Sequence, residues 1–298
     1  MLRYSLQRLF AQDLEAGSFE IIVIDDASED DTSDIVEQTK PYFRDLVYQK
    51  QKTKTSAGAA RNVAIALAKA PLLVFLDDDA LVGVSFLRRH RDAHRRLNAK
   101  VVTGPIIEIT DPTEAEDGNS RLGSGWHRNP FPSGNVSVAA DAVRAVGGFD
   151  EQFQAYGWED PELYRRLEKR GLGRHFDPDA AIFHCKPLSV RNDFVARLRR
   201  ERERGAMGAL FYAKHPSFGV GVMTKAHPLI SGIDALLAPL LRLEERTELA
   251  LSKGVVPGSA IWRLLIANHV EIKSAREAWV AMGPAYRRAL ASRASTLP

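Results

Sequence analysis

The residues best suited to chemistry in this chain are carboxylates at the ends of apolar runs. Phe19 to Ile24 leads into Asp25-Asp26, and Leu72 to Leu76 leads into Asp77-Asp78-Asp79. Short, nearly continuous apolar runs read as buried parallel strands, which are covered on both faces and need not alternate. In open α/β sheets, ligands bind outside the carboxyl ends of the strands. Acids converging there repel one another unless a cation or a donor-rich ligand is present. Hard oxygen ligands beside phosphates suit Mg²⁺ or Mn²⁺. Acids also fill βα turns and cap helices, which accounts for Asp25-Asp26 as well as a ligand does. No capping need explains three aspartates in a row.

A further acidic pair, Glu159-Asp160, follows Trp158. A carboxylate beside a second carboxylate, partly buried, has its pKa raised toward the work of a general base. The local alternative is helix-start chemistry, since acids at Glu159, Asp160 and Glu162 complement an N-terminal dipole. His184 ends a short apolar run, where a lone histidine is ordinarily a core or surface residue. His90 and His94 stand at i,i+4 spacing among Arg88, Arg89, Arg91, Arg95 and Arg96, and are expected on a solvated basic face.

The elements that must position these groups follow from periodicity. Helices are expected over 2–12, from Ser33, over 57–68 behind Ser56, over 86–97 behind Ser85, over 141–146 and over 159–170. Strands are expected at 19–24, 72–76, 101–104, 135–139 and 180–184, and 110–134 is long and polar enough for a functional loop. Strands alternating with helices imply a parallel-dominated α/β sheet. After residue 190 the pattern is helical only. The expected domains are therefore 1–190, an α/β body, and 191–298, a helical extension.

Composition bounds the reading. The chain has 298 residues, 45% hydrophobic and 27% charged, as in globular proteins, which excludes collagen, a disordered chain and a polytopic membrane protein. One cysteine, Cys185, excludes an intramolecular disulfide framework and a multi-cysteine zinc site, and fits a reducing cytosol. No run of about 18 uncharged apolar residues is present, so no transmembrane helix is expected, and the N-terminus lacks a secretory signal pattern. The net charge of +3 divides unequally: residues 1–190 hold 24 Lys+Arg against 29 Asp+Glu, and residues 191–298 hold 17 against 9.

The stretch Val23-Ile24-Asp25-Asp26-Ala27-Ser28-Glu29-Asp30-Asp31-Thr32 resembles the second-strand signature of family 2 glycosyltransferases with the GT-A fold. Ala60-Arg61-Asn62 and Leu76-Asp77-Asp78-Asp79 resemble that family's helix and its metal-binding Asp-x-Asp element. Gly147-Gly148-Phe149-Asp150-Glu151 and Gly157-Trp158-Glu159-Asp160 resemble its acceptor-side motifs. The resemblance covers roughly residues 1–190. It implies a GT-A fold, with a mostly parallel central sheet flanked by helices, and an inverting, metal-assisted transfer from a nucleoside-diphosphate sugar to an acceptor hydroxyl.

Carried over by position, the resemblance puts Asp26 or Asp25 on the nucleotide base and Arg61 near the base or diphosphate. Asp77, with Asp78 beside it, approaches the ribose, and Asp79 binds Mn²⁺ or Mg²⁺, with His184 as a further ligand. Asp160 is the expected base, and Glu159 is expected to hold acceptor or sugar hydroxyls. Asn135 is expected at the donor sugar, and Trp126 and Trp158 either face sugar rings or fill core. UDP is the favoured nucleotide by family frequency alone. The family's usual first strand is not found ahead of residue 2, so a chain of this form is expected to be poorly stable or weakly active.

Arg191 to Arg204 carries six arginines against three acids, and His227 to Leu243 is apolar. Helices there either lie on an anionic membrane surface or pack on the catalytic body with solvated arginines. Aromatic residues are too sparse among them for nucleic-acid binding to be expected. A glycan or lipid-linked acceptor at the cytoplasmic face of a membrane is the expected setting. Two rivals remain. A nucleotidyltransferase would need a Gly-rich basic loop after its first strand, which is absent; a non-catalytic sugar-nucleotide-binding or scaffold protein gives the carboxylates no work.

Overall fold

A computed structural model describes residues 1–15, 17–43, 45–97, 100–115, 129–186 and 193–296. The chain divides into two compact units, Met1–Gln152 with Glu159–Arg191, and Phe153–Trp158 with Asn192–Pro298.

The first unit is α/β. Its elements are α1 (Leu2–Phe10), β1 (Ile21–Asp25), α2 (Thr32–Thr39), β2 (Leu46–Lys50), α3 (Ala57–Leu67), β3 (Leu72–Leu76), β4 (Ala80–Val82), α4 (Phe86–Leu97), β5 (Lys100–Thr103), β6 (Ile106–Ile109), β7 (Asn135–Ala139), α5 (Ala140–Ala145), α6 (Glu159–Lys169), β8 (Gly173–Phe176) and β9 (Ile182–Cys185). The strands form three sheets, in the orders β1-β2, β3-β7-β5-β8 and β4-β9-β6. The α/β expectation holds. The sheets are mixed rather than mostly parallel, however: β7 runs antiparallel to both β3 and β5, and β9 antiparallel to β4. Strands β2, β4, β6 and β8 are additions to those expected from apolar runs.

Each element has a local cause. The Ser56 hydroxyl accepts from the Ala59 amide and caps α3, and Pro71 follows its exit. Three acids open α6 and complement its dipole. The core of the unit joins Leu73, Phe75, Val136 and Val138 of the sheet to Leu163 and Leu167 of α6. Phe75, Phe131 and Phe149 meet there at centroid distances of 5.7–6.1 Å. The last two belong to the segments that reach the carboxylates, so this aromatic contact fixes the floor beneath them.

The second unit is helical: α7 (Phe194–Lys214), α8 (Phe218–Met223), α9 (Pro228–Leu240), α10 (Leu243–Lys253) and α11 (Ala260–Thr296), the last kinked at Gly283. Gly205 of α7 lies so near α11 that a Cβ would meet the Glu271 carbonyl oxygen at 2.2 Å. Buried side chains that hold the unit gather around Leu198, Ile266 and Val270, around Trp158, Phe211 and Leu290, and around Ala209, Ala226 and Ala275.

Candidate active site

Parallel pairing of β1 with β2 sets Asp25 opposite Lys50. Asp25 is 3% exposed and accepts from the Ser28 amide and the Tyr48 hydroxyl, each at 2.7 Å, with Lys50 Nζ at 3.6 Å. Burial raises its pKa, but the hydrogen bonds from Tyr48 and Ser28 and the Lys50 charge outweigh that, and the carboxyl stays below its ordinary value. Asp26 is bound by Gln51 Nε2 and by the amide and hydroxyl of Thr55 at 2.7–3.0 Å. Both aspartates are thus already engaged by β2 and by the loop ahead of α3. Tyr48, Gln51 and Thr55 were not marked by any motif; only their nearness to the end of β2 hinted at a role.

The aspartates after β3 take different positions. A tight turn into β4 pairs Ala80 with His184 of β9, and this register brings His184 Nε2 to 2.8 Å from Asp79 Oδ1. Ligand atoms of Asp77, Asp79 and His184 all lie within 4.8 Å of one another. Two carboxylates and one imidazole suit a divalent cation of the Mn²⁺ type, so these residues fit the metal expected. Asp78 stands apart from this group: its side chain is exposed, and its main-chain carbonyl accepts from Ser5 Oγ. Gly134 faces Asp77, and a Cβ there would come within 2.6 Å of its Oδ2.

Arg61 of α3 lies amid three carboxylates, 3.8 Å from Asp77 Oδ1, 3.6 Å from Glu159 Oε1 and 3.8 Å from Asp160 Oδ1. Its guanidinium also sits 5.4 Å above the Phe149 ring. Asn62, next on α3, clamps the turn that carries Phe149: its amide bonds the Phe149 carbonyl and amide at 2.9 and 2.8 Å and Glu151 Oε1 at 2.9 Å. Gly148 has φ +71°, and a Cβ would meet Asn62 Oδ1 at 2.4 Å; glycine is required there. Arg166 fixes α6 to the same turn through the Val146 and Gly148 carbonyls while paired with Glu162.

Asp160 is 8% exposed, and its two oxygens differ. Oδ2 accepts from Asn129 Nδ2, the Ser133 amide and the Ser133 hydroxyl, each at 3.0 Å. Among the described residues, Oδ1 is buried without a hydrogen bond, as is Arg61 Nη1. Burial pushes the carboxyl above its ordinary value, and the Arg61 charge and the Ser133 and Asn129 bonds recover only part of that. One oxygen is thus anchored and the other is left to receive a proton.

Residues 1–188 match the family described as glycosyl transferase family 2. The chain belongs to that family. A validoxylamine A glucosyltransferase of Streptomyces hygroscopicus subsp. jinggangensis (strain 5008) is 29% identical over 252 residues, covering 73% of this chain and 58% of that protein. The hyaluronan synthase of Pasteurella multocida is 28% identical over 216 residues, covering 59% of this chain and 22% of that protein. The chain therefore spans little more than half of the first relative and under a quarter of the second. Among solved structures, the mannosyltransferase PcManGT of Pyrobaculum calidifontis, in complex with GDP-Man and Mn²⁺, superposes with a TM-score of 0.60 at 17% identity, covering 94% of this chain and 83% of that one. S. aureus TarS 1–349 in complex with UDP-GlcNAc gives 0.54 at 17%, covering 98% and 85%. At such identity the likeness is one of fold, and the fold is GT-A.

Within this family 2 chain, several expected residues take other places. Asn135, expected at the donor sugar, is wholly buried: its amide donates to the Pro105 and Ala180 carbonyls at 3.0 and 2.8 Å, and its oxygen faces His90 Nε2 at 3.2 Å. It fastens β7 to two loops. His90 and His94 are not on a solvated face, since both meet Ser137 Oγ, at 2.7 and 2.9 Å, and His90 is 0% exposed. Burial, with the His94 neighbour adding to it against the Asn135 bond, lowers the His90 pKa from 6.5 to about 4. Trp158 is core in the helical unit, its ring nitrogen donating to the Arg204 carbonyl and its ring tilted against Phe211. Trp126 lies outside the described residues.

Proposed function

We propose that this chain transfers a sugar from a nucleoside-diphosphate sugar to an acceptor hydroxyl with inversion at the anomeric carbon. The observation that carries this reading is the convergence of Asp77, Glu159 and Asp160 on Arg61, next to the Asp77–Asp79–His184 group. A site of this kind holds a dianionic leaving group and a proton acceptor within one crevice.

Asp160 Oδ1 takes the proton of the acceptor hydroxyl as that oxygen attacks the anomeric carbon. The bond from the anomeric carbon to the diphosphate oxygen breaks, and its electron pair leaves with the nucleoside diphosphate. Arg61 sets its positive charge beside the developing negative charge. Glu159 shares Arg61 and binds hydroxyls of acceptor or sugar. Asp26, which is partly exposed, is assigned to the nucleotide base, Asp25 being buried against Ser28, Tyr48 and Lys50, and Asp77 and Asp79 with His184 are assigned to Mn²⁺ or Mg²⁺. When bound, the ion supplies Lewis-acid neutralisation of the diphosphate. UDP is the base carrier proposed, in keeping with the UDP-GlcNAc complex of a structural neighbour. The GDP-Man complex of the other makes a guanine donor the natural comparison. The proposed acceptor is a hydroxyl of a glycan or lipid-linked glycoconjugate, at the cytoplasmic face of a membrane.

The test is a panel of UDP- and GDP-sugars, assayed for Mn²⁺-dependent release of the nucleoside diphosphate, with the anomer of the released sugar followed by proton NMR. Release from one donor, with inversion and dependence on Asp79, supports the reading. Release without metal or Asp79, retention, or no binding of any nucleotide by calorimetry would remove it.

A further inference from the structure

Exposed apolar side chains are concentrated in one stretch of the helical unit. Of twenty large hydrophobic residues exposed among those described, thirteen lie between Phe218 and Leu264. They include Phe218 (67% exposed), Leu229 (57%), Leu236 (72%) and Leu240 (78%). Helix α9 has Asp234 and Ala238 as its buried residues, and Asp234 is turned inward onto His269 Nδ1 at 3.0 Å. From Ala226 to Leu241 no Lys, Arg or Glu occurs. What α9 presents to its surroundings is therefore hydrocarbon without an exposed charge. Patches of this kind on a monomer mark an interaction site.

The chemistry of the face selects its occupant. Protein interfaces are enriched in Tyr, Trp, Phe, Met and Arg and are knit by hydrogen bonds. The α9 part of the face offers only Leu and Ile as its large exposed side chains, with no aromatic residue, Met or Arg among them. Cations follow it in sequence: Arg242, its side chain 70% exposed and paired with the half-exposed Glu245, then Lys253 and Arg263; Lys225, between α8 and α9, is instead held by Asn268 and Glu271. Residues 191–298 carry 17 Lys+Arg against 9 Asp+Glu. Apolar side chains bordered by cations match the acyl boundary and head groups of an anionic bilayer.

Length and shape separate lying on a bilayer from crossing it. No single described helix is long and apolar enough to span. Phe218–Leu240 and Leu243–Lys253 reach that length and apolarity only together, and they are bent by 78° at the break. The 13 residues of α9 rise about 20 Å, short of a hydrocarbon core of about 30 Å.

We propose that the α8–α9 face docks the chain on an anionic lipid surface, with Phe218, Leu229, Ile233, Leu236 and Leu240 in the acyl boundary and Arg242 at the head groups. The test is flotation of the full chain with phosphatidylcholine vesicles, with and without phosphatidylglycerol, alongside Leu236→Glu, Leu240→Glu and sedimentation velocity. Expected is flotation with the anionic vesicles, weakened by salt and by about tenfold for each substitution, at an unchanged unfolding temperature. Flotation insensitive to both substitutions would leave only diffuse charge attraction and overturn the proposal. So would a dimer in solution that Leu236→Glu disperses without any vesicle binding, because the face would then belong to a second copy. A monomer that binds neither vesicle overturns it as well.

Discussion

Arg61 Nη1 and Asp160 Oδ1 stand 3.8 Å apart, both buried and, among the described residues, neither hydrogen-bonded. The other Asp160 oxygen takes three donors. This asymmetry gives one carboxylate two states of readiness. Oδ2 locks its orientation, while Oδ1 keeps an open lone pair in a site where burial favours protonation. Arg61 limits that cost without quenching it, since three carboxylates share its charge.

The first consequence concerns stability. A carboxyl whose pKa is raised on folding contributes stability that is full below its unfolded pKa and is lost as pH rises through the folded one. At neutral pH an ionised Asp160 is therefore a net cost. Asp160→Asn keeps an acceptor for Ser133 and Asn129 and removes the buried charge. It is expected to stabilise the chain by on the order of 1 kcal/mol, or about 2–4 °C in unfolding temperature, read by calorimetry at pH 7. A fall of several degrees would mean that Asp160 is held in place for packing.

Ser133 is expected to act through Asp160. Its amide and hydroxyl both favour the ionised form, so Ser133→Ala removes one stabilising bond and raises the pKa further. The acidic limb of kcat/KM against pH should move to higher pH, with kcat at the plateau reduced by about tenfold or less. A plateau loss with an unmoved limb would assign Ser133 to substrate binding instead.

Metal binding is checked without turnover. A cation that binds the folded chain raises its unfolding temperature by mass action. Mn²⁺ at saturating concentration should raise that of the wild type, and Asp79→Ala or His184→Ala should abolish most of the shift. Asp78→Ala should leave it intact, because Asp78 lies outside the ligand group. An equal loss in all three variants would point to diffuse charge rather than a site.

His90 sets an acid limit. Its pKa falls from 6.5 to about 4 on folding. A depressed histidine contributes stability that is present above pH 6.5 and is lost as pH falls toward about 4, because the unfolded chain takes up the proton first. The full effect is roughly 3 kcal/mol. Urea unfolding between pH 7 and pH 4 should show that slope, and His90→Gln should flatten it. An equal slope in the variant would move the acid sensitivity elsewhere.

Much of this was legible in the sequence, because the informative features are local. Apolar runs ending in acids mark β1 and β3, and capping residues mark α3 and α6. The misreadings are long-range. Asn135 is a polar residue at the start of a strand, and only Pro105 and Ala180, 30 and 45 residues away, make it core. Trp158 has its partners in α7, 46 residues on. His90 was obscured by neighbouring arginines, although its spacing from Phe86 and Ala93, both buried, places it on the apolar side of α4. The reversal of β7 follows the polar sequence 110–134, which carries no signal of direction. Asn129 and Ser133 lie in that same stretch, where no periodicity singles them out.

The most direct measurement is the rate of nucleoside-diphosphate release from the hydrolysed donor, with water as acceptor, in wild type and Asp160→Asn, beside the calorimetric affinity of each for the nucleoside diphosphate with Mn²⁺. Expected is a rate lowered by about 10²- to 10⁴-fold with the affinity unchanged, since Asp160 meets the acceptor and not the nucleotide. Wild-type turnover in Asp160→Asn, or a loss of nucleotide affinity in step with the rate, would contradict the assignment of Asp160 as the base.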